Sequence, residues 1–95
     1  MVCTILTIIE MLEVTQVYVR SLTGEDYTPS YPAPLNTDTV IEAQLNRFPS
    51  GGEIVKVYDN DSLIKTITTV KDKYPSGFYY KFTTSGTHNV CAEVV

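Results

Sequence analysis

Ser76 to Val95 reads SGFYYKFTTSGTHNVCAEVV. Phe78, Tyr80 and Phe82 alternate with Tyr79, Lys81 and Thr83. After Ser85-Gly86 the alternation resumes, with His88, Val90, Ala92 and Val94 set against Asn89, Cys91, Glu93 and Val95. A period of two in both arms, with glycine between them, predicts two strands joined by a tight turn, a β-hairpin. Each arm carries an apolar face that water would leave uncovered, so the stretch also predicts a second sheet packed against the first.

Upstream, the same period recurs. Val17 and Val19 alternate with Gln16, Tyr18 and Arg20, and Thr23-Gly24-Glu25-Asp26 forms a turn. Ile41, Ala43 and Leu45 alternate with Glu42, Gln44 and Asn46 between Thr37 and Phe48. Val55 and Val57 stand opposite Ile54, Lys56 and Tyr58, between turns at Pro49-Ser50-Gly51-Gly52 and Asp59-Asn60-Asp61-Ser62. These turns carry the Gly, Asn and Asp residues that tolerate positive φ. The strand from Leu63 to Val70 has no single apolar face, because Ile64 and Ile67 fall on opposite phases. Tyr27 to Asn36, YTPSYPAPLN, holds three of the five prolines and predicts an irregular edge or a Tyr/Pro partner surface. The expectation is an all-β, immunoglobulin-like antiparallel β-sandwich of about seven strands.

The runs DTVIEAQLN (38–46), EIVKVYDNDSLIKTITT (53–69) and the closing stretch resemble prokaryotic Ig-like modules. The cell-adhesion-related bacterial domain and the bacterial Ig-like groups are the types they resemble. The resemblance covers residues 38–95 and, more loosely, residue 14 onward. It implies a spacer, adhesion or assembly role, and it brings no catalytic residues. The module is therefore taken as residues 14–95, preceded by an apolar segment at 1–13.

That segment, MVCTILTIIEMLE, reads two ways. Val2, Ile5, Ile8, Ile9 and Leu12 fit a helical stripe, whereas Cys3, Ile5, Thr7, Ile9 and Met11 fit one face of a strand. The density of β-branched residues favours the strand. It is a first strand or a capping segment packed on this domain, a strand that pairs with another subunit's sheet edge through Ile5, Ile8, Ile9 and Leu12, or a remnant of a longer precursor. It is too short for a bilayer span, and it lacks the basic start of a secretory signal.

The net charge is −4, and the seven Lys and Arg are scattered. Without a basic face, neither nucleic acid nor an anionic membrane surface is an expected partner; the expected partner is protein, including self-association through sheet edges. His88 is the only imidazole, no Gly-rich phosphate loop is present, and the two cysteines are far apart. The reading is therefore non-catalytic, with no metal and no cofactor. Asp59-Asn60-Asp61 reads as a turn rather than a calcium loop. Cys3 and Cys91 are a candidate disulfide, worth about 4–5 kcal/mol for a closed loop of about 89 residues; free thiols and an intermolecular bridge are the alternatives. Tyr27, Tyr31, Tyr58 and Tyr79 are a candidate ligand or partner surface for carbohydrate or peptide. The setting that fits is extracellular, on a cell surface or in a virion.

Overall fold

Valine, isoleucine and threonine at alternating positions form six strands in the computed structural model, which describes residues 1–8 and 10–95. They are β1 Val14–Arg20, β2 Asp38–Leu45, β3 Ile54–Asp59, β4 Ser62–Thr68, β5 Phe78–Lys81 and β6 Val90–Val94. Two antiparallel sheets result, ordered β1-β2-β5 and β4-β3-β6. The architecture is all-β, two sheets deep, with six strands among the described residues rather than seven.

The core lies between the sheets. Ile41 of β2 and Val55 and Val57 of β3 are fully buried. At one end of the sandwich, Leu12, Leu45 and Val55 pack with Val14 and Val94; toward the other, Ile41, Val57 and Phe82 pack with Val19 and Val90. β1 therefore runs from the first end to the second, and β6 runs back. Thr39 is buried and donates its hydroxyl to the Tyr80 carbonyl at 2.6 Å, so the polar group costs little.

The stretch from Ser76 to Val95 is not a hairpin. β5 pairs with β2 and β6 pairs with β3, in different sheets. The apolar faces of both arms point inward as their alternation predicts, but they face one another across the core instead of lying side by side. Phe82 is buried in the core, and the loop that follows it carries the chain across to the other sheet.

The ambiguity at β4 also has a structural cause. Val57 pairs with Lys65 but Tyr58 pairs with Leu63, so the register shifts at this point. This bulge reverses the phase of the strand, and both Ile64 and Ile67 pack against the core. The Asp59–Ser62 turn is a two-residue hairpin with Asn60 at φ 47° and Asp61 at φ 67°, the left-handed pair that matches strand twist.

Among the described residues, the apolar N-terminal segment supplies no strand to either sheet. Residues 1–8 lie outside every ladder, and Val2, Ile5, Leu6 and Ile8 are exposed. The molecule measures 66 × 25 × 24 Å, and its radius of gyration of 16.7 Å exceeds the roughly 12 Å of a compact chain this long. The excess is this segment, extended beyond the sandwich.

Candidate functional site: an open sheet edge and an unpaired strand

The segment leaves the domain through a defined collar. Asn46, just past β2, donates from Nδ2 to the Met11 carbonyl at 2.7 Å and accepts the Glu13 amide at 2.9 Å. Arg47 donates from Nε to the Glu10 carbonyl at 2.7 Å. Leu12 is buried against Leu45 and Val55. Contacts with the sandwich thus reach back to Glu10, four residues before the expected start of the module at residue 14. Leu12 belongs to the core and not to a pairing strand, because its side chain fills the end of the sandwich. Ile5 and Ile8 remain exposed; Ile9 lies outside the described residues.

On one side of the sandwich, β1 and β6 face each other as the last strands of their sheets. A groove of about 520 Å³ opens between them at the end where β6 begins. Its walls include Val19, Val90, Phe82 and His88, with Tyr27 and Pro32 from the proline-rich loop. The core-facing residues of β6, Val90, Ala92 and Val94, are only half-buried because no strand among the described residues lies beside them.

The backbone pattern of β6 fixes which groups face the opening. Val95 donates its amide to the Ile54 carbonyl at 2.8 Å, and the Asn60 amide donates to the Asn89 carbonyl at 3.0 Å. Odd-numbered residues therefore bond to β3. By the alternation of an antiparallel ladder, Val90, Ala92 and Val94 turn their N–H and C=O groups toward the open edge.

The rim of the groove is held by side chains that sequence spacing does not connect. His88 Nδ1 lies 2.8 Å from Asp59 Oδ1, and its Nε2 lies 2.7 Å from the Thr84 carbonyl. The ring also stands edge-on to Phe82, at 4.9 Å between centroids. The Thr84 carbonyl and the Asp59 carboxylate both favour the charged ring and raise its pKa. Asn60 accepts the Asn89 amide at 2.7 Å and donates to the Thr87 carbonyl at 3.3 Å. Its side chain is thus committed to the loop before β6. Asp59 and Asn60 were visible as turn residues; their partners 29 residues away in sequence were not.

The four tyrosines do not form one surface. Tyr27 and Tyr31 stack at 5.6 Å on the loop after β1, and Tyr31 donates to Glu25 at 2.8 Å, a bond that raises its pKa. Tyr58 lies on the outer face of the β4-β3-β6 sheet and donates to Glu93 at 2.8 Å. Tyr79 is exposed on the outer face of the other sheet. Alternation had placed Tyr58 and Tyr79 outward but not on opposite sheets.

Cys3 and Cys91 are both free and exposed, so neither thiol is buried and no disulfide joins them in this structure. The direction of the N-terminal segment is the reason: it runs away from the end of the sandwich at which β1 begins. Among the described residues no cluster of His, Cys, Asp and Glu suited to a metal ion occurs, and no helix is long and apolar enough to cross a membrane. A scan against protein-family models and searches of the curated proteins and the solved structures found no match for this chain.

Proposed function

We propose that this chain is a non-catalytic structural module of immunoglobulin-like type, which assembles by pairing its N-terminal segment with a sheet edge of another subunit. The setting we propose is a surface protein, an extracellular filament or a virion. One observation carries the reading: residues 1–8 hold six apolar side chains outside the domain, without a ladder partner. Exposed apolar strands are an association hazard that monomeric proteins avoid, and pairing with a partner's edge satisfies both their side chains and their backbone.

The test is removal of residues 1–9, which leaves the collar at Glu10 and Met11 and the buried Leu12 in place. Sedimentation velocity is expected to show multimers for the full chain and a monomer for the shortened one, with similar thermal midpoints. A shortened chain with an unchanged oligomeric state would sink the reading. Carbohydrate or peptide binding through tyrosine is the weaker alternative. Only Tyr27 and Tyr31 stand together, and Tyr31 already spends its hydroxyl on Glu25.

A further inference from the structure

We infer that the acceptor for the N-terminal segment is the open edge of β6 in a second copy of this chain, with Cys3 of one copy directly opposite Cys91 of the next. The inference rests on the assembly reading above and adds the edge, the direction, the register and a covalent lock.

The choice of edge follows from how each edge is protected. β4 and β5 are the outer strands on the far side of the sandwich, and Lys65 of β4 lies over the Phe78 ring of β5 at 5.7 Å, which sets its charge at that edge. Lys65 and Lys81 also place charge on these two strands, a usual guard against edge pairing. β1 carries a register irregularity between Val14 and Gln16 and ends in Arg20. β6, VCAEV, has neither lysine nor bulge, and its core-facing side chains are only half covered.

Direction follows from the two ends of the sandwich. The segment continues β1 backwards out of the first end. If a second copy is stacked in the same orientation above the second end, its segment descends into the groove beside β6. It then runs parallel to β1 and antiparallel to β6. The amides and carbonyls of Val90, Ala92 and Val94 already point outward to receive an antiparallel strand. Such a contact is heterologous and does not close, so repetition yields a filament.

Register follows from parity. Cys91 points away from the core and is exposed. A donor strand with Cys3 opposite Cys91 also turns Cys3 outward. Its even-numbered residues, Val2, Thr4, Leu6 and Ile8, then face the core. Thr4 stands opposite Val90, and Leu6 and Ile8 continue past it along the groove lined by Val19, Phe82 and His88. Because odd-numbered residues of β6 bond to β3, the Cys3–Cys91 pair is a non-hydrogen-bonded one on the open edge. Its Cα atoms would stand about 4.5 Å apart, within the span of a disulfide. Oxidation removes two electrons and two protons from the two thiols. A disulfide oxidant takes them up and leaves as two thiols, while the new S–S bond joins neighbouring subunits.

The test uses the full chain. Light scattering on reduced protein reports assembly without any disulfide, and so examines the assembly reading alone. Oxidised glutathione is then added to a mixture of ¹⁴N- and ¹⁵N-labelled chains. Products are resolved on a non-reducing denaturing gel, followed by peptide mapping. The expected result is a ladder extending beyond dimer, with Cys3–Cys91 as its linkage and both isotopes in the linked peptides. Cys3→Ser and Cys91→Ser should each stop the ladder at dimer while assembly of the reduced protein persists. Cys3→Ser combined with Thr4→Cys moves the thiol to the core-facing side and should not restore the ladder. Reduced protein that assembles but forms no Cys3–Cys91 link would overturn the β6 register and leave assembly standing. A link found within single chains overturns it too. A reduced chain that stays monomeric over the accessible concentrations overturns both readings.

Discussion

His88 shows how one side chain can hold a loop at the mouth of the groove. Its two ring nitrogens meet two acceptors, the Asp59 carboxylate and the Thr84 carbonyl. A neutral imidazole has one N–H and can donate to only one of them; the imidazolium donates to both. Tyr80 shares this environment, with its hydroxyl 3.5 Å from Asp59, and burial together with that carboxylate raises its own pKa. Because the folded pKa of His88 is raised above the ordinary value of about 6.5, its contribution to stability is complete below that value. It is lost as pH rises through the folded pKa. An NMR titration of the His88 ring should place its midpoint above the ordinary value. Chemical unfolding of His88→Gln should lack the stability loss that the parent shows over that pH window. A midpoint at or below the ordinary value would refute the two-acceptor account. Glu53 works in the opposite sense. The Thr69 hydroxyl and the Gly51 and Ser50 amides hold its pKa down, so its contribution fades as pH falls.

The elements illustrate where alternation is informative and where it is silent. In β2 and β3 the buried side chains fall at Ile41 and Leu45 and at Val55 and Val57, as period two requires. In β4 the bulge opposite Tyr58 reverses that phase, and no feature of LIKTIT announces it. The tight approach of β5 to β2 has a similar character. A Cβ added at Gly77 would stand 2.7 Å from Val40 Cγ1 and 2.7 Å from Glu42 Cγ, so glycine is required there for space. Gly77→Ala is expected to cost about 1–3 kcal/mol in urea unfolding, the range for overpacking. The exposed neighbour Ser76→Ala should stay within about 0.5 kcal/mol. Equal stabilities for the two variants would show that β5 can shift away from β2 at no cost.

At the scale of the whole molecule, the long axis of 66 Å combines a small sandwich with an uncovered apolar segment. A sandwich of this size has few fully buried side chains, here led by Ile41, Val55 and Val57. Each large apolar side chain that a donated strand buries contributes about 1.5–3 kcal/mol, a substantial addition to a domain expected to hold about 5–15 kcal/mol in total. Assembly should therefore couple to stability. The thermal midpoint of the full chain is expected to rise with protein concentration, while that of the chain lacking residues 1–9 stays constant. A flat midpoint for both, measured by calorimetry over a hundredfold range, would mean that the segment adds nothing to the folded state.

Local chemistry was sufficient for the class of the fold. Alternating β-branched residues, prolines kept out of the strands, and Asn-Asp and Gly-Gly turns dictate antiparallel strands, and the inward faces of β2, β3, β5 and β6 could be read directly. Strand partners could not, because period two states which way a side chain points and not which strand lies beside it. For that reason β5 and β6 read as a hairpin although they belong to different sheets. The N-terminal segment is the same case at larger scale. Its β-branched composition favours a strand over a helix, but only the packed sandwich shows that Leu12 is held in the core while residues 1–8 extend without a ladder partner. The tertiary structure likewise decides that the exposed edge of β6 carries an outward Cys91. Strand pairing is a non-local choice set by packing geometry, whereas strand formation is written in neighbouring residues.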